Sequence, residues 1–140
     1  MTYRIVVGVD GSKHSRAALL WALNEAQGHS GEVTALFAWQ VPFLSFPGAF
    51  DREELEKTAK DFLVETVSEI VPTPAAPLRT IVAEGDPTES LIEASKEADL
   101  LVLGIRGRSP FKGLLLGSVS QGAAATAHCP VVLVKRTDAS

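Results

Sequence analysis

Apolar and polar positions along the chain alternate between short β-branched runs and longer segments with helical spacing. The first run, Tyr3 to Val9, predicts a strand that ends at the turn signal Asp10-Gly11-Ser12. Ser12 and Ser15 are candidate N-caps for a following helix, and the apolar segment Ala17 to Leu23 is typical of a helix that packs against a sheet. The pattern therefore predicts a strand that leads directly into a helix.

The same alternation continues to the end of the chain. Further strands are predicted at Val33 to Trp39, Leu78 to Ala83, Leu100 to Leu103 and Val131 to Val134. Further helices are predicted to start at Asp51, at Asp86-Pro87 and at about Ser118, the last one running to Ala127. The segment Gln40 to Phe50 follows neither period and is predicted to be a loop. Five strands separated by four helices favour a doubly wound α/β fold, a parallel sheet with helices on both faces.

Composition and charge narrow the class of protein. The chain has 140 residues, of which 46% are hydrophobic, so we expect a single domain over residues 1–140, with Thr137 to Ser140 as a loose tail. The net charge of -4 argues against a nucleic-acid partner. No apolar run approaches the roughly 18 residues that span a membrane, so we expect no membrane partner and a cytoplasmic location. Cys129 is the only cysteine, which predicts neither a disulfide nor a structural metal site, and His14 and His29 are predicted to lie on the surface.

Two predicted loops carry candidate chemistry. In an open parallel sheet, ligands bind at the carboxyl ends of the strands, where the strand order reverses. Asp10-Gly11-Ser12 follows the first strand, and the glycine-rich segment Gly104 to Ser120 follows the fourth. In this segment, Gly117 and the three residues after it open a helix, where unpaired backbone N–H groups and the positive end of the helix dipole suit a phosphate.

The glycine-rich segment also carries positive charge. Gly104 and Gly107 lack Cβ atoms, so the backbone there can take positive φ and lie close to a ribose or a phosphate. Three basic side chains, Arg106, Arg108 and Lys112, belong to the same loop. The segment therefore predicts a site for an anionic ligand.

Three separated segments resemble universal stress proteins. The spacing Gly-x2-Gly-x9-Gly-Ser from Gly104 to Ser118 resembles the family's ATP-binding signature, and Ile5-Val-Val-Gly-Val-Asp-Gly-Ser resembles its opening. His128-Cys129-Pro130-Val131-Val132 is similar to its final strand. The resemblance implies the strand order 3-2-1-4-5, binding of ATP with Mg²⁺ or Mn²⁺ through the phosphates, and a nucleotide-dependent regulator of the stress response. It also implies a homodimer formed through the last strand, Val131 to Val134.

The resemblance further implies roles for individual residues. Gly8 and Ala38 would lie near the base, and Asp10 would accept a hydrogen bond from the adenine or the ribose. The ribose and the phosphates would be lined by Gly104, Arg106, Gly107 and Arg108. The β- and γ-phosphates, with their divalent ion, would be held by Gly117, Ser118, Val119 and Ser120. Ser109-Pro110 stands where many members have glycines, and Leu114 where some have a basic residue.

The residues leave several functions open. Cyclic AMP or AMP needs fewer phosphate contacts than ATP and would tolerate Leu114 and Ser109-Pro110. Slow ATP hydrolysis or phosphate transfer to Ser118 or Ser120 is a third function, and a partner-binding module without nucleotide is a fourth. Asp10 is the only obvious carboxylate near the site. In an alternative interpretation, Asp10 binds no ligand and only caps the first helix. Because a fast ATPase needs a positioned water and a fixed metal, binding is expected to exceed catalysis.

Overall fold

The computed structural model describes residues 2–41, 48–107 and 116–136. The elements in chain order are β1 (Arg4–Gly8), α1 (Lys13–Gly28), β2 (Glu32–Trp39), α2 (Arg52–Ile70), β3 (Leu78–Glu84), α3 (Pro87–Ser95), β4 (Leu100–Gly104), α4 (Ser118–Thr126) and β5 (Val131–Val134). The predicted alternation is confirmed, and only boundaries differ. For example, β1 ends at Gly8, and α4 ends one residue before Ala127, whose backbone is extended. Most of the predicted loop Gln40 to Phe50, and the tail Thr137 to Ser140, lie outside the described residues.

The strands form one parallel sheet in the order β3-β2-β1-β4-β5. The predicted fold class and the predicted strand order are therefore confirmed. Val6 of β1 pairs with Thr34 of β2 on one side and with Leu101 of β4 on the other. The chain leaves β1 toward β2 and later returns to β4, so the strand order reverses between β1 and β4. The carboxyl ends of these two strands bound the place where such sheets bind ligands.

The sheet is buried on both faces because its side chains alternate between two apolar clusters. Ile5 and Val7 point to the face covered by α1 and α2, where Leu63 is part of the same cluster. Val6 points to the opposite face and packs with Leu91 of α3 and with α4. This two-sided burial explains why the strands are continuous apolar runs rather than alternating ones.

The four helices of the described residues begin in different ways. The Ser12 hydroxyl caps α1 by accepting a hydrogen bond from Ser15 N at 3.1 Å. Asp51 caps α2 and Asp86 caps α3 through their carboxylates. The N-cap position of α4 is Gly117, which has no side chain with which to cap the helix. Within the described residues, α4 is thus the helix whose first turn receives no side-chain cap. None of these helices is both long and apolar enough to cross a membrane.

Candidate functional site

A crevice with a volume of about 320 Å³ opens at the carboxyl end of the sheet, where β1, β2 and β4 end. All of the predicted site residues that the structure describes line it. These are Gly8, Asp10, Ala38, Gly104, Arg106, Gly107, Gly117, Ser118, Val119 and Ser120. Arg108, like Lys112, Ser109-Pro110 and Leu114, lies outside the described residues. The two loops that the sequence analysis selected are therefore neighbours in space.

Other lining residues were not among the predicted site residues. They come from the carboxyl ends of the strands, from the first turn of α1 and from α3, and they are Val9, Ser15, Leu36, Phe37, Pro87, Leu91 and Leu103. One signal for α3 exists in the sequence, because Asp86-Pro87 opens a helix right after a strand and so lies at the same edge of the sheet. The apolar strand ends carry no comparable signal, since their pattern also fits ordinary core positions. Apart from Ser15, these residues make one end of the crevice apolar.

Asp10 is held by a tight turn at the opposite, polar end. Its Oδ1 accepts a hydrogen bond from Ser12 N at 2.9 Å, and its own N–H donates to Ser15 Oγ at 3.3 Å. A Cβ on Gly107 would lie only 2.6 Å from Asp10 Oδ2. Asp10 therefore both stabilises the turn before α1 and presents a carboxylate to the crevice.

Two glycines at the end of β4 and in the loop after it occupy positions where a side chain would collide with other parts of the protein. Positive φ among the described glycines occurs at Gly11, Gly48 and Gly85, so Gly104 and Gly107 do not use the conformational freedom that glycine allows. A Cβ on Gly104 would lie 2.6 Å from the Cβ of His14 and 2.7 Å from its carbonyl carbon. Gly104 thus allows the first turn of α1 to pack directly on the end of β4, just as Gly107 makes room for the Asp10 carboxylate.

The first turn of α4 forms the other wall of the polar end. Gly117 N donates to the Ile105 carbonyl at 2.8 Å, and Gln121 N donates to the Gly117 carbonyl at 3.0 Å. The N–H groups of the three residues between them, Ser118 to Ser120, precede the first intrahelical bond and have no carbonyl in the preceding turn to bind. These donors, together with the helix dipole, favour an anion at this position.

Ser120 contributes less to the crevice than its hydroxyl suggests. The hydroxyl donates to the Gly104 carbonyl at 2.7 Å, and the residue is only 3% exposed. Its proton therefore joins α4 to β4 and is not available to a phosphate. The group of Ser120 that remains for a ligand is its backbone N–H, whereas Ser118 is exposed and keeps its side chain at the surface.

The N-terminus of α3 lies beside that of α4 but differs in charge. Asp86 Oδ2 accepts a hydrogen bond from Glu89 N at 3.0 Å, and Pro87 at the first helical position has no N–H. The acidic side chain of Glu89 lies in the first turn of the same helix. The two helices pack closely where Gly122 of α4 meets Thr88 of α3. A Cβ on Gly122 would lie only 2.6 Å from Thr88 Cγ2. The crevice is therefore bordered by two helix N-termini. The N-terminus of α4 favours an anion, and that of α3 disfavours one.

His14, which was predicted to lie on the surface, is half-buried where the first turn of α1 packs on Gly104. Its Nδ1 accepts a hydrogen bond from Arg136 N at 3.2 Å. Burial lowers the pKa of His14, the positive charges of Arg106 and Arg136 lower it further, and Asp10 acts in the opposite direction. The imidazole is therefore held in its neutral form.

The polar end offers few ligands to a metal. Over residues 2–41, 48–107 and 116–136, no group of three His, Cys, Asp or Glu side chains converges as a metal site would require. Asp10 is the only carboxylate among the described lining residues. This donor set fits a divalent ion that is carried by a ligand's own phosphates rather than by a protein cage.

Comparisons with known proteins agree on one family. The model of the universal stress protein family matches residues 1–135. Universal stress protein Rv2623 of Mycobacterium tuberculosis is 34% identical over 137 residues, which are 95% of this chain but only 45% of that protein. The chain thus spans about half the length of this curated relative.

Solved structures give the same result. Universal stress protein UspA from Lactobacillus plantarum superimposes with a TM-score of 0.79 at 28% identity, covering 94% of this chain and 97% of that one. A universal stress protein in complex with cAMP superimposes with a TM-score of 0.73 at 26% identity, covering 96% of this chain and 98% of that one.

Proposed function

The chain belongs to the universal stress protein family, and on that premise we propose that its crevice binds ATP as a regulatory ligand. The observation that carries this proposal is the polarity of the crevice, with an open helix N-terminus and Arg106 at one end and apolar walls at the other. A ligand that suits both ends has a flat, largely apolar group joined to a chain of phosphates. An adenine nucleotide has this form.

The phosphates belong at the N-terminus of α4. The backbone N–H groups of Ser118, Val119 and Ser120 are oriented as a helix presents them to an anion. The backbone of Arg106 lies against the same turn. A Cβ on Gly117 would be 3.2 Å from the Arg106 Cα. A Mg²⁺ or Mn²⁺ ion is proposed to arrive with the phosphates, which supply its oxygen ligands.

The base belongs between β2 and α3, and backbone groups of β2 are proposed to recognise it. Val9 N donates to the Leu36 carbonyl at 2.9 Å, so the peptide groups of Leu36 face β1. In a parallel ladder the peptide groups of every second residue face the same neighbour, so those of Ala38 face the crevice beyond the end of β1 at Gly8. The N–H donor and the carbonyl acceptor of Ala38 match the acceptor and donor on the edge of adenine.

The ribose is proposed to lie next to Asp10, between the base and the phosphates. Oδ1 of Asp10 is used by the turn, whereas Oδ2 faces Gly107 at the crevice. A carboxylate is a strong acceptor for the hydroxyl groups of a sugar. Asp10 is the only carboxylate among the described lining residues and is proposed to bind the sugar rather than a water at the phosphates, which favours binding over hydrolysis.

A second candidate ligand is cyclic AMP or AMP. The related structure in complex with cAMP supports it, because that chain is similar to this one over nearly its whole length. A single phosphate would use fewer of the N–H groups at α4 than a triphosphate does. Transfer of phosphate to Ser120 is disfavoured by the hydrogen bond of its hydroxyl to Gly104.

Two further parts of the proposal concern the whole molecule. Strand β5 lies at the edge of the sheet and pairs with β4 along Val131–Val134. Its other edge is proposed to pair with the same strand of a second copy in a homodimer. A single domain, a cytoplasmic location and a role in the stress response stay predictions.

Calorimetry tests the proposal and ranks its ligands. ATP, AMP, cyclic AMP and adenosine are titrated in turn into the protein, with and without Mg²⁺. We expect ATP with Mg²⁺ to bind most tightly and adenosine most weakly, because only phosphates use the α4 donors. Tighter binding of cyclic AMP than of ATP would replace the first candidate by the second, and no binding of any of the four would contradict a nucleotide site.

A further inference from the structure

His14 lies below the crevice and connects it to the end of the last strand. It is in the first turn of α1 and packs against the backbone of Gly104, which itself lines the crevice. Its Nδ1 accepts a hydrogen bond from the backbone N–H of Arg136, two residues beyond β5. Only an unprotonated Nδ1 accepts such a bond, so this contact requires the neutral imidazole. Protonation of His14 would therefore break the contact between α1 and the end of β5.

Among the described residues, three charged groups act on the charge of His14, each from a different element. They are Arg106 from the loop after β4, Arg136 from the segment after β5, and Asp10 from the turn after β1. Two of them, Arg106 and Asp10, also line the crevice. The charge that a ligand brings to the crevice is thus placed next to the groups that decide the protonation of His14.

We propose that His14 couples ligand binding to pH, such that an anion bound at Arg106 promotes protonation of His14 and a protonated His14 strengthens anion binding. This inference rests on the proposed nucleotide site. A phosphate beside Arg106 neutralises a charge that otherwise repels the imidazolium ion. Because coupling between two binding events is reciprocal, the proton must favour the anion by the same factor. Protonation also releases Arg136 N–H, so bound ligand and the end of β5 respond together.

The direction of the pH effect follows from the lowered pKa of His14. Without ligand, His14 stays neutral below the pH at which an ordinary histidine takes up a proton, about 6.5. An anionic ligand raises the pKa toward the ordinary value, so binding is accompanied by proton uptake in this range. Affinity for the ligand therefore increases as the pH falls through the interval between the two pKa values. The unliganded protein loses stability in the same direction, because the unfolded chain binds the proton more readily.

The test compares the wild-type chain with His14→Gln, using ATP with Mg²⁺ as the probe. Glutamine keeps a carbonyl oxygen for Arg136 N–H but does not titrate, and the protonation of ATP itself affects both proteins equally. Affinities are measured by calorimetry at about pH 7.5 and about pH 5.5, on either side of the ordinary histidine value. We expect the ratio of wild-type to variant affinity to rise by roughly threefold at the lower pH, as a modest coupling free energy would give. Proton uptake, obtained from buffers of different ionisation enthalpy, should be larger for the wild type.

Ring signals in NMR spectra separate failure of this inference from failure of the proposed function. The exposed residues His29 and His128 precede β2 and β5, so they lie at the amino ends of the strands, away from the crevice, and serve as internal references. With ATP bound, the titration midpoint of His14 should move to higher pH while the reference signals stay in place. If ATP binds but the His14 midpoint and the affinity ratio do not change, the coupling is refuted and the nucleotide site stands. If ATP does not bind, both are refuted.

Discussion

The N-termini of α3 and α4 lie side by side at one crevice, yet their residues differ in nearly every respect that matters to an anion. Helix α3 begins with a carboxylate cap, a proline without an N–H, and Glu89 in its first turn. Helix α4 begins with Gly117, carries no acid in its first turn, and has Arg106 against its start. The same backbone geometry thus gives one end that repels a phosphate and one that attracts it.

This difference gives the crevice a direction. Negative charge is favoured at α4 and disfavoured at α3, whose contribution to the crevice is the apolar surface of Pro87 and Leu91. The proposed nucleotide would then bind in one orientation, with its base toward α3 and its phosphates toward α4. Variants that close the α4 end, or that open the α3 end, test this account from two sides.

The largest effect is expected from Gly117→Asp, which gives α4 the kind of cap that α3 has. The backbone of Gly117 is extended, with φ -64 and ψ 160, so an aspartate can take its place as N-cap. Its carboxylate would bind the N–H groups that the phosphates need and would repel the phosphates. Loss of two charge-assisted hydrogen bonds predicts at least about a 100-fold loss of ATP affinity in calorimetry.

Ala124→Asp is the matched control for this change. Ala124 is exposed on the same helix, so the variant has the same net charge without touching the first turn. Thermal unfolding of the Gly117 variant should stay near the wild-type midpoint, because the new cap offsets the close approach to Arg106. Unchanged ATP affinity in Gly117→Asp, or an equal loss in the control, would show that the phosphates do not bind at α4.

A smaller loss is expected from Arg106→Gln. The substitution removes a positive charge at the α4 end but leaves the backbone donors in place. A single charge-assisted contact predicts about a tenfold weaker binding of ATP. Adenosine, which has no phosphate, should bind the variant and the wild type alike, and a tenfold loss for adenosine as well would place Arg106 at the base or the sugar instead.

Asp10→Asn changes the carboxylate that is proposed to bind the ribose. Asparagine keeps an oxygen for Ser12 N, so the turn before α1 and the unfolding midpoint should be preserved. The second oxygen becomes an amide nitrogen that cannot accept from the ribose, which predicts about a fivefold loss of affinity. This loss should be equal for ATP and adenosine. A loss confined to ATP would mean that Asp10 acts through the phosphates and their metal ion.

The smallest change in affinity is expected at the α3 end, from Asp86→Ala. Loss of the cap should lower the free energy of unfolding by about 1 kcal/mol, as should Asp51→Ala, the matched change at α2 away from the crevice. ATP affinity measured on both variants should stay within about twofold of the wild type, since α3 makes no phosphate contact in this account. A marked gain or loss specific to Asp86→Ala would place the phosphates closer to α3 than proposed.

Much of this architecture can be read from the sequence because it is encoded locally. Strand runs, helix periods and turn residues such as Asp86-Pro87 are short-range signals, and the rule that ligands bind at the carboxyl ends of strands selected both loops. The strand order came from the resemblance to a family rather than from periodicity. What the sequence did not predict depends on packing between distant segments. The contact of His14 with Gly104, the hydrogen bond of the Ser120 hydroxyl, and the apolar wall formed by Leu91 are examples.

The orientation of the ligand is tested most directly by backbone amide signals of ¹⁵N-labelled protein, titrated with ATP and separately with adenosine. We predict that the amides of Ser118, Val119 and Ser120 shift with ATP and not with adenosine, while the amide of Ala38 shifts with both. The account would be contradicted if the α4 amides responded equally to adenosine. It would also be contradicted if the signals specific to ATP came from Thr88 and Glu89 at the start of α3.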